Sequence, residues 1–144
     1  MSRTLPTEEG IGYLLNRASR GLVARLRDQL RTLGLDHDMW MMIQRIRRSG
    51  GQGTSAVEAA EYLRAPVGAM TDAANRLVRD GLLRPAPGEP QEGGRLVLTE
   101  KAAKVAAGFD NEVHWMMEGA TSGFTHEELD ALADYLKRII DNLA

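Results

Sequence analysis

Apolar positions recur at helical spacing in six stretches of this chain, separated by glycine-rich turns and by one region with the pattern of a hairpin. From Glu8 to Leu33 the residues Ile11, Leu14, Leu15, Ala18, Leu22, Leu26 and Leu30 form one apolar stripe, with arginines on the other faces, and Gly34 ends the helix. Asp36 is placed to cap a second helix from about His37 to Arg48, which Gly50-Gly51-Gln52-Gly53 breaks. Ser55 and Glu58 have capping-box spacing and open a short third helix carrying Val57, Ala60 and Leu63. Pro66 suits the first turn of a fourth helix, which runs to Asp80 with Met70, Ala73, Ala74, Leu77 and Val78 inward, and Gly81 stops it. Leu82-Leu83-Arg84 and Arg95-Leu96-Val97-Leu98 read as short strands around a tip rich in proline and glycine. Thr99 can cap a fifth helix through Val105, Phe109, Val113, Met116 and Met117. Thr125 with Glu128 is a second capping box, opening a last helix with Leu129, Leu132, Leu136, Ile139, Ile140 and Leu143.

This order predicts a mainly α fold with a small β-hairpin: a winged helix-turn-helix over 34–98, between an N-terminal helix, 1–33, and C-terminal helices, 99–144. In that geometry the second helix of the motif enters the major groove of DNA, the first crosses the backbone and the wing can reach the minor groove. Gly68 and Ala69 are small enough to let the backbone of the 66–80 helix approach bases, and Thr71, Asp72, Asn75, Arg76 and Arg79 lie along it. Thr54 and Ser55 stand at a helix N-terminus, where hydroxyls and backbone N–H groups can hold a phosphate. Arg84 and Arg95 flank the wing. The plainer alternative is that Arg76 and Arg79 are solvated and the motif never touches DNA.

The overall charge of −2 is unusual for a DNA-binding protein, but its distribution is uneven. Residues 1–33 carry six arginines against three acids, 34–98 eight against eight, and 99–144 four basic residues against nine acids, which turns the C-terminal third away from a polyanion. No cysteine is present, which excludes disulfides, thiolate metal sites and cysteine nucleophiles. No apolar run has the length of a membrane span, and the polar Met1–Gly10 has no signal-peptide core, so a cytoplasmic protein is expected. No phosphate-binding loop, nucleophile elbow or His-Glu-x-x-His zinc motif occurs, so no enzyme, cofactor or metal is expected; His37, His114 and His126 are widely spaced.

Several short stretches carry a resemblance: Leu33-Gly34-Leu35 followed by Trp40, Met70-Thr71 to Leu77, Asp80-Gly81-Leu82-Leu83-Arg84, Leu98-Thr99-Glu100-Lys101-Ala102, and Phe124-Thr125 with Glu127-Glu128. In this order and spacing the chain resembles the MarR family of bacterial regulators. The resemblance implies a ligand-responsive repressor that binds double-stranded DNA as a homodimer on a two-fold symmetric operator. It implies a dimer held by the first helix and the last two, through Ile11, Leu129, Leu132, Leu136, Ile139, Ile140 and Leu143. It also implies a small aromatic or phenolic ligand near Tyr13, Arg17, His37, Trp40, Met41, Trp115 and Met116, although these are equally good core and interface residues. Two departures stand out. Asp72 replaces the family's basic residue after the recognition-helix threonine, and Pro90 and Glu92 occupy the places of the wing's Asp-x-Arg. They motivate the alternative of a MarR-like ligand-binding or protein-interaction dimer with weak or lost DNA binding.

Overall fold

Local chemistry at the chain's turns sets most of its element boundaries. The computed structural model describes residues 10–144, in the order α1 (Gly10–Thr32), α2 (His37–Arg47), α3 (Ala56–Leu63), α4 (Val67–Arg79), β1 (Leu83–Pro85), β2 (Leu96–Leu98), α5 (Glu100–Ala120) and α6 (His126–Leu143). Glu8, the expected start of the first helix, lies outside the described residues. Asp36 caps α2 by accepting from Met39 N at 2.8 Å. Ser55 and Thr125 form complete capping boxes with Glu58 and Glu128. Each satisfies backbone donors that a helix start otherwise leaves orphaned, an effect of about 1 kcal/mol per cap.

α4 closes at Gly81, where φ is +78°, with Leu82 N donating to Leu77 O at 2.8 Å and Gly81 N to Val78 O at 3.1 Å. Leu77 and Leu82 are both buried, so the cap carries its own apolar contact. Because the backbone of Leu82 serves this cap, β1 begins at Leu83, one residue later than the apolar run predicts, and takes in Pro85. Proline is tolerated there because β1 is an edge strand. The α3–α4 turn is tighter in kind: Arg64 takes φ +55°, and Ala65 N donates to Ala60 O at 3.0 Å.

β1 and β2 pair antiparallel with Leu83 opposite Leu98, Arg84 opposite Val97 and Pro85 opposite Leu96. The sequence does not predict a further rung: Thr54 N donates to Leu96 O at 3.1 Å and Leu96 N to Thr54 O at 3.0 Å. Gly53 precedes it at φ +83°, and a Cβ there would lie 2.6 Å from Leu96 O. The glycine that reads as a helix breaker is thus also the residue that lets the loop reach the wing.

Packing divides the chain into two units, one through Phe109 and one from Asp110 to Ala144. The centre of the first is α2, whose Met39, Trp40, Met42, Ile43 and Ile46 are buried. They pack with α4, which buries Met70, Ala73, Ala74 and Leu77, with α3, which buries Ala59 and Ala60, and with β2; Ala102, Ala106 and Phe109 of α5 are buried as well. Trp40 and Phe109 stand edge to face with ring centroids 4.3 Å apart. Val78, expected inward, is 39% exposed, because it sits at the margin of the α4 stripe beside the wing. The second unit holds the rest of α5 and all of α6, in which no residue is buried.

Candidate functional site

The inward face of α4 is small and apolar, so the helix seats closely on α2 and α3 and turns the opposite row outward. Gly68, Thr71, Asp72, Asn75 and Arg79 are all exposed on that row, and Ala69 is half-buried beside it. The predicted reading residues are therefore brought together along one helix. Arg76, at the edge of the row, is held back: its Nη1 lies 2.7 Å from Asp36 Oδ2. Asp36 thus caps α2 with one carboxylate oxygen and tethers α4 with the other. Both side chains are about half exposed, so the pair contributes about 0.2–1 kcal/mol and acts mainly to orient.

The wing is anchored in a similar way. Arg95 Nε lies 3.2 Å from Glu58 Oε1, joining the base of β2 to the capping box of α3. The Ser55 backbone N–H and then the Arg95 guanidinium hold the Glu58 carboxyl below its usual value. Ser55 and Thr54 are both buried; the Ser55 hydroxyl accepts from Glu58 N, and Thr54 serves the sheet through its backbone. Neither hydroxyl is on an open surface where a phosphate could reach it. Arg84 points from the exposed face of β1. Thr99 joins two of the recognisable stretches: its hydroxyl donates to Gly81 O at 2.7 Å and accepts from Ala102 N, while Lys101 Nζ donates to Asp80 O at 3.0 Å. The α4 stop and the α5 start are therefore one hydrogen-bonded clasp that fixes the wing's root.

Between α3, α4 and the wing tip lies an open cleft of about 370 Å³, lined among others by Val57, Thr71, Asn75, Val78, Gln91 and Gly93. The wing tip carries Glu89 and Glu92 and no basic residue. Sequence reasoning missed the second roles of Asp36 and Glu58. Their capping positions were visible, but their arginine partners lie 40 and 37 residues away. It also missed Tyr62, whose ring lies 3.7 Å beneath the Arg45 guanidinium and links α3 to α2.

This arrangement recurs in solved structures. Transcriptional regulator PA3341 superposes with a TM-score of 0.79 at 26% identity, over 92% of this chain and 96% of that one. A MarR-family transcriptional regulator from Silicibacter pomeroyi gives 0.81 at 22% identity, over 99% and 97%. The MepR–DNA complex of S. aureus gives 0.78 at 16% identity, over 96% and 99%. The chain has the MarR-family fold. No family model and no curated protein matches the sequence. Transcriptional regulator PA3341 and the Silicibacter pomeroyi protein are both transcriptional regulators.

The residues expected to bind a ligand in the MarR fold are not equivalent. Trp40 is 4% exposed and its ring is packed against Phe109, so it is a core residue first. Met41 and His37 are half-buried. Tyr13 is exposed, with the Arg17 guanidinium 5.8 Å from its ring centroid. In the second unit Trp115 is 72% exposed and Met116 half-buried. Among the expected dimer residues Ile11, Leu132, Ile140 and Leu143 are exposed, while Leu129, Leu136 and Ile139 are half-buried. Among the described residues no three metal-ligating side chains cluster, and no helix is long and apolar enough to cross a membrane.

Proposed function

We propose that this chain is a cytoplasmic, ligand-responsive transcriptional regulator that binds a specific duplex as a homodimer. The observation that carries this reading is the α4 row: Gly68, Thr71, Asp72, Asn75 and Arg79 face solvent together beside a wing that is clasped in place. A helix of this size fits the major groove, and the adjacent hairpin reaches the neighbouring minor groove. The strand running between them passes over the cleft, whose valines suit sugar and thymine-methyl surfaces. That MepR and E. coli MarR have been solved with DNA supports the same use of the same element.

Dimerisation is supported by α6. Among the described residues its apolar stripe includes no fully buried side chain, and an amphipathic helix is stable only when such a stripe is buried. A second copy supplies that cover, and a dimer of helix-turn-helix subunits binds half-sites about one turn of DNA, roughly 34 Å, apart. The ligand reading rests on Tyr13 with Arg17, a pair able to take an aromatic carboxylate by stacking and charge. A ligand that prefers one spacing of the two α4 helices shifts DNA affinity by population.

One observation favours a second reading, a dimer with weak DNA binding. Residues 54–98 carry five arginines against six carboxylates. Fluorescence anisotropy with the DNA upstream of its own gene, titrated with salt and with unrelated competitor, separates the two. Competitor-resistant binding that weakens steeply with salt is expected of the regulator. Binding no tighter than to unrelated DNA, for this duplex and for any selected from a random library, would favour the second reading. Adding benzoate to the complex tests the ligand, which is expected to lower the anisotropy.

A further inference from the structure

We propose that Asp72 is a specificity-determining residue that selects cytosine in each half-site, and that Asp36 makes it so. The inference rests on the reading of α4 as the helix that enters the major groove. Positions 68, 72, 75 and 79 fall within about 60° of one another around a helix, so Asp72 belongs to the exposed row and lies between Gly68 and Asn75 along it. A helix docked by this row cannot keep the carboxylate away from the bases.

Among the described residues nothing neutralises that carboxylate. Its natural partner is Arg76, four residues on, which is the spacing at which opposite charges meet on a helix. That guanidinium is instead 2.7 Å from Asp36, forty residues away in sequence. Asp72 takes part in no ion pair or side-chain hydrogen bond among the described residues. Asp36 therefore draws away the one cation that would have turned Asp72 into an inert surface pair.

A bare carboxylate only accepts hydrogen bonds. In the major groove the donors are the adenine and cytosine amines. The adenine amine is flanked by two acceptors, its own N7 and the O4 of thymine. The cytosine amine has the guanine O6 on one side and only the C5–H on the other. Cytosine is the base that offers a carboxylate a donor with the least repulsion, and every other edge at that position is penalised. Asp72 so works as much by rejecting sites as by binding one.

The test begins with full-length protein selecting from a randomised duplex library, followed by anisotropy on defined duplexes. Each half-site selected by the wild type is expected to hold one cytosine whose replacement by thymine weakens binding about tenfold. Asp72→Ala is expected to bind both duplexes equally well. Asp72→Asn, which gains a donor beside its acceptor, is expected to move the preference to adenine. Asp36→Asn, which frees Arg76 to pair with Asp72, is expected to blunt the cytosine preference while leaving the rest of the motif intact. A symmetric motif with no column altered in Asp72→Ala overturns this proposal and leaves the DNA-binding reading standing. No enriched motif with the wild type overturns that reading and the proposal with it.

Discussion

Replacing Gly53 with alanine tests how the wing is held. An L-residue at φ +83° costs roughly 1–2 kcal/mol by itself. The added Cβ would also stand 2.6 Å from Leu96 O, a backbone atom that no side-chain rotation can move away. Relief requires the loop and β2 to part, which weakens the two Thr54–Leu96 hydrogen bonds at 3.1 and 3.0 Å. At about 0.5–1.5 kcal/mol each, their loss brings the total to about 2–5 kcal/mol, a large share of the stability of an ordinary domain. Urea unfolding followed by tryptophan fluorescence reads this directly, since Trp40 is buried in the same unit. Gly51→Ala is the control: φ there is +91°, but nothing lies within 4 Å of an added Cβ. It should cost only the backbone term, roughly 1–2 kcal/mol. Equal losses in the two variants would refute the close-approach argument and leave only backbone strain.

The other predictions concern a turn, a carboxylate and a surface. Arg64 occupies a left-handed position that favours glycine, so Arg64→Gly is expected to raise the unfolding free energy by about 0.5–1 kcal/mol, measured in urea. The Glu58 carboxyl is depressed below 4.5 by the Ser55 N–H and by Arg95, so its contribution is present above the unfolded value and is lost as pH falls through the folded one. Stability of the wild type should therefore fall towards that of Glu58→Gln as pH drops below 4.5, in parallel urea titrations; a constant gap would count against the linkage. Ile140 is 65% exposed within the lone chain, so Ile140→Asp costs the protomer little; on the proposed α6 dimer, sedimentation should show its mass half that of the wild type, and equal masses would refute that contact.

The features legible in the sequence were those set by neighbours along the chain. The capping boxes of Ser55 and Thr125, the cap at Asp36 and the stop at Gly81 depend on groups three to five residues apart, and each forms as its spacing predicts. The exposed α4 row follows from the inward spacing of Met70, Ala73, Ala74 and Leu77. What the sequence could not display was competition for the same group at long range. Thr54 and Ser55 have the residue types of a phosphate site, yet the sheet rung and the capping box bury them. Trp40 has the chemistry of a ligand wall, yet it is buried with Phe109, 69 positions later, packed against it.

Charge shows the same limit most sharply. Counted along the chain, Arg76 and Arg95 are two of the five cations in 54–98. In the fold each faces a carboxylate from another element, so each orients a part of the motif: Arg76 sets α4 against the start of α2, and Arg95 sets the wing against α3. A guanidinium already paired gains less from a phosphate, because it must first give up its partner. Attraction to any duplex is therefore weak on this face, and it falls to Arg64, Arg79 and Arg84. A surface with little general attraction and, among the described residues, no ion-pair partner for the Asp72 carboxylate on its exposed row can bind tightly only where the base edges fit. On that account the acidic residue and the neutral balance favour selectivity over affinity.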